Sequence, residues 1–516
     1  MAAGMVLVPC WLLAWLLLSC RLPGAGSVAV MSVDVGSESM KIAIVKPGVP
    51  MEIVLNKESR RKTPVAVSLK ENERLFGDSA LGMSIRTPKV AFRYFQDLLG
   101  KRIDNPHVAL YQARFPEHEL VKDEKRQTVI FKLSQTIQYS PEEMLGMVLN
   151  YSRGLAEEFA EQPIKDAVIT VPAYFNQAER RAVLHAARMA DLKVLQLIND
   201  NTAVALNYGV FRRKDINATA QNIMFYDMGA GSTVCTIVTY QTVKTKDSGT
   251  QPQLQIQGIG FDRTLGGLEM ELRLRDYLAK LFNGQHPSKD VRKNPRAMAK
   301  LLKEANRLKT VLSANADHMA QIEGLLDDID FKAKVSRQEF EDLCSDLFQR
   351  VPGPVQQALS SAEMNMDGID QVILVGGATR VPKVQEVLLK AVGKEELGSG
   401  SPPPGSVPAL PLPPPAGRPG RSLLPSPDHV VAVVRGAVRG GGGGGGGGRR
   451  LREPGQAAEA QRRCRGRRDR VQRRRGEREP AGQAGPTTRR RLLGRGCWGK
   501  SSQSLCFSCR PCPRAV

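Results

Sequence analysis

The chain has 516 residues, of which 41% are apolar, so it is long enough for one large two-lobed domain or two to three smaller ones. The formal net charge of +22 is concentrated in residues 399–516, which hold 24 Lys and Arg against 6 Asp and Glu. The almost neutral remainder argues against a folded body that binds nucleic acid or a membrane by overall charge. Cys235 and Cys344 are the only cysteines between residues 28 and 398. Two cysteines are too few for a disulfide scaffold, and the sequence does not decide whether these two form a disulfide bond with each other.

Residues 1–27 have the pattern of a secretory signal peptide. An apolar run, Met5–Leu18, is followed by small residues at positions 25–27, as a cleavage site requires. Because the run is short for a membrane span, we expect entry into the secretory pathway without a stable membrane anchor; an uncleaved anchor is the alternative. In that pathway the sequons at Asn150 and Asn217 are predicted glycosylation sites.

Residues 28–398 have a mixed pattern in which strands are followed by long amphipathic helices. This pattern favours an α/β fold with sheets flanked by helices. In chain order the predicted strands are Ala29–Val33, Ile42–Val45, Ala167–Val171, Ile223–Tyr226, Val234–Tyr240 and Gln371–Val375. The predicted helices are Pro141–Gln162, Asn176–Ala190, Leu268–Phe282 and Pro295–Ser313.

A weak internal repeat lies within this region. Each copy is an apolar strand with an Asp at its end, then a Gly/Ser turn and a second apolar strand. The first copy carries Asp34, Gly36 and Ser37, and the second carries Asp227, Gly229, Gly231 and Ser232. Two such copies far apart in one chain indicate a duplicated fold with two facing lobes.

The residue types of the repeat suit a phosphate site. Gly and Ser turns after strands present several backbone N–H groups toward one point, which is how proteins hold phosphate oxygens. Asp34 and Asp227 would lie beside those phosphates and bind hydrated Mg²⁺, directly or through its waters. A single Asp-x-Gly turn is more often a plain hairpin turn, and the matching second copy is what favours the phosphate interpretation.

A third motif ends the strand predicted at Gln371–Val375. The double glycine Gly376-Gly377 lets the backbone approach a flat ligand, and the planar guanidinium of Arg380 can lie on an adenine ring. Pro382 suits the first turn of a following helix. Taken alone, the motif also fits a tight strand–helix turn with a solvated Arg.

Together, in this order and spacing, the three motifs resemble the heat-shock-seventy chaperone family among the actin-like ATPases. Ile169–Asn176, Ile198–Ala203 and Thr264–Gly267 also match family segments, so the resemblance covers residues 29–398. It implies an actin-like, two-lobed ATPase domain that binds ATP or ADP with Mg²⁺. It assigns catalytic or nucleotide-binding roles to Asp34, Gly36, Ser37, Asp200, Asp227, Gly229, Gly231, Ser232, Lys309, Ser313, Gly376, Gly377 and Arg380.

The departures from the family pattern concern hydrolysis more than binding. Gln96 stands where the family has its catalytic Lys, Asp200 replaces a Glu that coordinates magnesium waters, and Asn201 replaces the Pro after it. The family residues are also changed at Ala230, Val234, Asn306 and Thr310. Because phosphoryl transfer depends on positioned charge, we expect nucleotide binding with weak or no ATP hydrolysis.

From residue 399 the composition changes to Pro-rich segments, a glycine run at Gly440–Gly448 and Arg clusters. Such a segment buries too little apolar surface to fold, so a disordered tail is predicted. Its Arg clusters could bind RNA or DNA by charge, but Trp498 and Phe507 are the only aromatic residues there and both lie beyond the clusters. We therefore do not expect a nucleic-acid partner.

The family's linker, peptide-binding domain and helical lid have no counterpart here, nor has the last helix of its nucleotide-binding domain. The main hypothesis is an ATP-binding chaperone domain of the endoplasmic reticulum lumen that assists protein folding under stress. The alternatives are a nucleotide-dependent exchange factor for a partner chaperone of that compartment, with little hydrolysis, and a nucleic-acid binder that acts through its tail. Unfolded clients are expected only for the full-length family form, and without a retrieval signal a folded fraction would be secreted.

Overall fold

The computed structural model describes residues 29–47, 51–70, 73–245, 249–394 and 396–399. The predicted signal peptide and, apart from Ser399, the predicted tail lie outside these residues. Within the described ranges, no helix combines the length and the apolar character that crossing a membrane requires.

The described residues form strands, α-helices and short 3₁₀ turns. The strands are β1 (Val30–Val35), β2 (Ser39–Val45), β3 (Glu52–Ile53), β4 (Thr63–Pro64), β5 (Ala66–Lys70), β6 (Glu73–Phe76), β7 (Ala91–Arg93), β8 (Glu119–Lys122), β9 (Val129–Lys132), β10 (Gln138–Tyr139), β11 (Asp166–Val171), β12 (Lys193–Asn199), β13 (Gln221–Met228), β14 (Thr233–Thr245), β15 (Gly249–Asp262), β16 (Asp317–Leu326), β17 (Ile329–Ser336), β18 (Gln371–Val375) and β19 (Gly398–Ser399). The α-helices are α1 (Gly77–Arg86), α2 (Pro106–Arg114), α3 (Pro141–Ala160), α4 (Gln177–Met189), α5 (Asp200–Phe211), α6 (Gly267–Gln285), α7 (Pro295–Leu312), α8 (Arg337–Leu343), α9 (Ser345–Arg350), α10 (Gly353–Ala362) and α11 (Pro382–Val392). Short 3₁₀ turns lie at Pro88–Val90, Phe95–Leu98, Val291–Lys293, Met366–Gly368 and Gly377–Arg380.

Two large sheets share one topology. The first has the strand order β12-β11-β1-β2-β3, with β4 also beside β2, and the second has the order β15-β14-β13-β18-β19. Each central strand, β1 or β13, pairs antiparallel with the next strand of the chain and parallel with a later one, β11 or β18. This shared pairing confirms the duplicated α/β fold predicted from the repeat. The smaller antiparallel sheets are β6-β5-β7, β10-β9-β8 and β16-β17.

The predicted helices are confirmed, and their starts have local causes. Ser140 and Asn176 each accept a hydrogen bond at the side chain from the backbone N–H of the third residue of the following helix, and the carboxylate of the Glu at that position accepts one from the backbone N–H of the cap. These capping boxes satisfy backbone N–H groups that the first turn leaves without a partner. Proline occupies the first turn of α3, α7 and α11, where its missing N–H costs nothing.

Each lobe has its own hydrophobic core. The first core joins β1, β2 and β11 to α3 and α4, whereas the second joins β13 and β14 to α6 and α7. Cys235 and Cys344 are both buried in the second core and both are free thiols, so the structure shows no bond between them. The two cores leave the ends of β1, β13 and β18 free to form the site between the lobes.

Candidate functional site

A cavity of about 580 Å³ lies where the carboxyl ends of β1, β13 and β18 meet. In α/β folds this edge of a sheet is the usual place for a ligand. All the residues to which the sequence assigns catalytic or nucleotide-binding roles line this one cavity, namely Asp34, Gly36, Ser37, Asp200, Asp227, Gly229, Gly231, Ser232, Lys309, Ser313, Gly376, Gly377 and Arg380. Folding therefore brings the three sequence motifs to a single site.

The two predicted phosphate loops approach each other across the cavity. In the second loop the backbone N–H of Gly229 donates to the carbonyl oxygen of Ser232 at 2.9 Å, which closes a tight turn. A Cβ atom on Gly231 would lie 2.7 Å from Oγ of Ser37 in the first loop, so the approach requires a glycine. The loops are close enough for one polyphosphate to reach both.

The carboxylates of Asp34, Asp200 and Asp227 are close enough to affect one another's ionisation. Burial and the negative charge of Asp34 raise the pKa of Asp227 to about 7. Burial raises the pKa of Asp200 well above its usual range, and the charges of Asp34 and Asp227 add to this effect. Oδ1 of Asp200 is also buried without a hydrogen-bond partner among the described residues. A divalent cation would relieve the repulsion and supply the missing contact.

The arrangement of these carboxylates suits a hydrated ion rather than a bare one. Within the described ranges, no group of three or more His, Cys, Asp or Glu side chains is placed to hold a metal directly. Mg²⁺ keeps several of its waters and is commonly shared between one or two carboxylates and substrate phosphates. The residues present therefore fit Mg²⁺ held through its waters by Asp34 and Asp227, as the sequence predicts, with Asp200 beside them.

The double glycine lets the backbone pass close to the carboxylates and leaves space beyond. Gly376 has a φ of +85°, and a Cβ there would lie 2.5 Å from Oδ1 of Asp227. A Cβ on Gly377 would meet no atom within 4 Å, although Gly377 lines the cavity. Arg380 is exposed at the end of the 3₁₀ turn, and Pro382 begins α11 as predicted. A flat ligand can therefore lie against this backbone with Arg380 beside it.

Helix α7 contributes the next part of the wall. Lys309 and Ser313 both line the cavity one turn apart on α7 and its C-terminal cap. Lys309 forms an ion pair with the buried carboxylate of Glu271, and Nδ2 of Asn306 donates to the same carboxylate at 2.8 Å. This buried carboxylate therefore fixes the ammonium of Lys309 and the amide of Asn306 at the cavity wall.

Comparison with models of known protein families identifies the family of this chain. The family model described as "Hsp70 protein" matches residues 30–401. The chain belongs to the Hsp70 family. The ATPase domain of this family binds nucleotide, typically with Mg²⁺, and the two-lobed α/β architecture is that of the Hsp70 ATPase domain.

Relatives named hypoxia up-regulated protein 1 match the same part of the chain. The Gallus gallus protein is 91% identical over 398 residues, which are 76% of this chain and 40% of that protein. The Homo sapiens protein is 79% identical over 392 residues, or 75% of this chain and 39% of that protein. The Xenopus tropicalis protein is 82% identical over 373 residues, or 72% of this chain and 58% of that protein. The chain thus spans about two fifths to three fifths of the length of these Hsp70 relatives.

Gln96, which the sequence analysis places where the family pattern has its catalytic Lys, is not part of the cavity wall. It is buried behind the first phosphate loop, where Nε2 donates to the carbonyl oxygen of Gly36 at 3.0 Å. Its Oε1 atom has no hydrogen-bond partner within the described part of the chain. In this Hsp70 chain a neutral amide therefore braces the first loop from behind.

Asn201, which the sequence analysis places where the family pattern has a Pro, links the two lobes. It is buried at the start of α5, and its Nδ2 atom donates to the carbonyl oxygen of Val234 at 3.2 Å and to Oγ1 of Thr236 at 3.1 Å. Both acceptors belong to β14 of the second lobe. The other changed residues, Ala230, Val234, Asn306 and Thr310, line the cavity itself.

Polar contacts beside the cavity also join the lobes of the Hsp70 fold. Tyr174, which follows β11, donates from its hydroxyl to Oγ of Ser232 at 3.0 Å. Arg263, which follows β15, lies over the ring of Tyr174 at 4.6 Å and pairs with the buried carboxylate of Glu179 at 2.6 Å. Lys101 pairs with the same carboxylate. The second phosphate loop is therefore tied to the first lobe through Tyr174.

Sequence reasoning missed Lys41, Lys62 and Thr170, which also line the cavity. Oγ1 of Thr170 donates to Oδ1 of Asp34 at 3.1 Å, and Nζ of Lys41 lies 3.9 Å from Oδ2 of Asp34. The repeat contains a signal for Lys41, because Lys41 pairs opposite Asp34 as Val234 pairs opposite Asp227. No local pattern indicates Lys62, whose position depends on the pairing of β4 with β2.

Proposed function

We propose that the chain binds Mg²⁺-ATP and Mg²⁺-ADP in the cavity between its lobes, as the nucleotide-binding domain of a molecular chaperone of the endoplasmic reticulum lumen that acts under stress. The proposal depends mainly on one observation: one cavity of suitable size is lined by thirteen residues assigned to nucleotide or Mg²⁺, ten of them from three separate sequence motifs and three from other segments of the chain. The Hsp70 match and the relatives named for hypoxic up-regulation support the chaperone class and the response to stress.

A second candidate is a nucleotide-dependent exchange factor for a partner Hsp70 chaperone. The observation that favours it is the neutral, buried Gln96 beside a cavity that the Gly and Ser residues of both predicted phosphate loops still line. Such a site would hold nucleotide and set the angle between the lobes while it hydrolyses ATP slowly.

The test of nucleotide binding is thermal unfolding of the full chain with and without Mg²⁺-ATP. A ligand that binds only the folded state at 100 times its Kd adds about 2.7 kcal/mol of stability, so the Tm should rise by several degrees. Gly377→Trp should abolish the rise, because bulk at the open face of the double glycine occupies the ligand's place.

Gly284→Trp is the matched control for this substitution. A Cβ on Gly284 also meets no atom within 4 Å, but Gly284 lies on α6 away from the cavity. This variant should keep the full ATP-dependent rise. An unchanged rise in Gly377→Trp would show that ATP binds elsewhere, and no rise in the unaltered chain would contradict nucleotide binding altogether.

A further inference from the structure

Lys62 and Arg380 bring positive charge to the same cavity from opposite lobes. Lys62 precedes β4 in the first lobe, and Arg380 ends the 3₁₀ turn after β18 in the second. Both residues are exposed, and neither forms an ion pair with any residue that the structure describes. In addition to Lys41, which lies 3.9 Å from Asp34, the cavity thus has two cations without an ion-pair partner among the described residues.

The loop before Lys62 is held in place. The buried Asn56 accepts hydrogen bonds at Oδ1 from the backbone N–H groups of Glu58 and Arg60, at 3.1 and 2.8 Å. Its Nδ2 atom donates to the carbonyl oxygen of Lys62 at 3.3 Å and to Asp78 at 3.2 Å. These bonds fix the backbone of Lys62, so only its side chain must be ordered when a ligand binds.

The pairing of β4 with β2 sets Lys62 beside the first phosphate loop. Thr63 pairs with Met40 and Pro64 with Ser39, two residues after Ser37 of that loop. Lys62 precedes Thr63 and therefore lies next to Lys41. Partial desolvation of the Lys62 side chain at the cavity wall and the positive charges of Lys41 and Arg380 lower its pKa, while the negative charges of Glu38 and Asp34 act in the opposite direction. The two carboxylates therefore offset the repulsion between these cations only in part.

We infer that Lys62 is a phosphate-binding residue, and that a nucleoside di- or triphosphate between Lys62 and Arg380 removes the repulsion between the two lobes. The inference rests on the proposed nucleotide binding and adds to it a residue that the family motifs do not include. An ammonium group offers three donors to phosphate oxygens. Lys62 would place positive charge at the open side of the phosphate chain, whereas Gln96 supplies none from behind the first loop.

The inference predicts that Lys62 matters for phosphates and not for adenosine. Binding of Mg²⁺-ADP, Mg²⁺-ATP and adenosine is measured by calorimetry on the full chain, with adenosine titrated by competition. Lys62→Gln should weaken the binding of Mg²⁺-ADP and of Mg²⁺-ATP by about tenfold or more, since hydrogen bonds that involve charged groups are stronger than those between neutral groups. Lys62→Arg keeps the charge and should stay within a few fold of the unaltered chain. Adenosine should bind equally to all variants.

Lys57→Gln is the matched control, because Lys57 is an exposed lysine of the same loop that does not line the cavity. Equal weakening by Lys57→Gln would show an effect of overall charge and overturn the assignment of Lys62. Unchanged ADP and ATP binding by Lys62→Gln, or an equal loss for adenosine, would also overturn it while nucleotide binding stands. If the unaltered chain binds no nucleotide, the proposed function fails and this inference fails with it.

Discussion

At the scale of single residues, we expect Gln96 to affect ATP hydrolysis more than nucleotide binding. The phosphate loops and three carboxylates around the cavity are present, so nucleotide and Mg²⁺ can be held. Gln96 is neutral and directs its amide at the carbonyl of Gly36 behind the loop. Removing one positioned charge from such a site typically lowers the rate on the order of a hundredfold or more. We therefore expect slow turnover as a result of this one side chain together with the short carboxylate of Asp200.

Substituting Gln96→Lys tests this account. We expect single-turnover ATP hydrolysis to rise on the order of a hundredfold, because the ammonium would return positive charge beside the first phosphate loop. Gln96→Met is the control: it removes the hydrogen bond to Gly36 without adding charge and should remain as slow as the unaltered chain. Fast hydrolysis with Gln96 in place, unaffected by Lys, would show that this position does not limit the reaction.

At the scale of elements, the segment between α2 and β8 is organised around a buried histidine. His118 is 4% exposed, and its Nε2–H donates to the carbonyl oxygens of Pro88 and Ala91, both at 3.2 Å. Its ring lies 4.6 Å from that of Phe92, and its Nδ1 atom is 3.2 Å from the hydroxyl of Tyr111. Burial lowers the pKa of His118 to about 4, since the charged form would lose its water.

This histidine makes the first lobe sensitive to acid. The unfolded chain binds a proton at His118 below pH 6.5, whereas the folded chain binds it only near pH 4. Stability should therefore fall as the pH drops from about 6.5 to about 4, by roughly 3 kcal/mol at most from this group. Urea unfolding followed at several pH values through this window measures the loss.

His118→Gln should make the free energy of unfolding depend less on pH between about 6.5 and about 4. It should also lower the stability at neutral pH, because it alters the packing of the aromatic rings. His185→Gln is the control, because His185 is exposed on α4 and its replacement should leave the profile unchanged. A slope in His118→Gln equal to that of the unaltered chain would show that other groups cause the acid sensitivity.

At the scale of the whole molecule, both predicted glycosylation sites lie on the surface. Asn150 is exposed on α3, although Ser152 of the same sequon is buried and donates to the carbonyl oxygen of Val148 at 2.8 Å. Asn217 lies in an exposed turn before β13, where its Oδ1 atom accepts from the backbone N–H of Thr219 at 2.8 Å. The fold has room for a glycan at each site.

We therefore predict that the chain made in cells carries glycans at Asn150 and Asn217. This follows from the predicted entry into the secretory pathway, where such sequons are glycosylated. Glycosidase treatment should lower its mass in gels, and Asn150→Gln and Asn217→Gln should each remove one glycan. A chain without residues 1–27 is the control and should carry none. A full chain of unchanged mass after treatment, in membrane fractions, would count against lumenal entry or against use of these sequons.

Local pattern was sufficient to predict the phosphate loops, the carboxylates beside them and the double glycine. An apolar strand, the Asp at its end and a Gly/Ser turn after it are features of a few neighbouring residues, and the φ of +85° at Gly376 suits a glycine directly. The capped helices α3 and α4 were predictable for the same reason, because a cap satisfies groups within one turn. The Hsp70 resemblance then indicated that these separate motifs belong to one site.

Position in the folded chain decided the rest. Lys62 reaches the cavity only because β4 pairs with β2, and Arg380 faces it only because β18 lies beside β13 in the other sheet. The free thiols of Cys235 and Cys344 and the lowered pKa of His118 likewise depend on which distant side chains surround them. How deeply a side chain is buried, and how far it lies from other charges, depends on the packing of the core. With a different pairing of strands, the same residues would be buried differently and would lie at other distances from these charges.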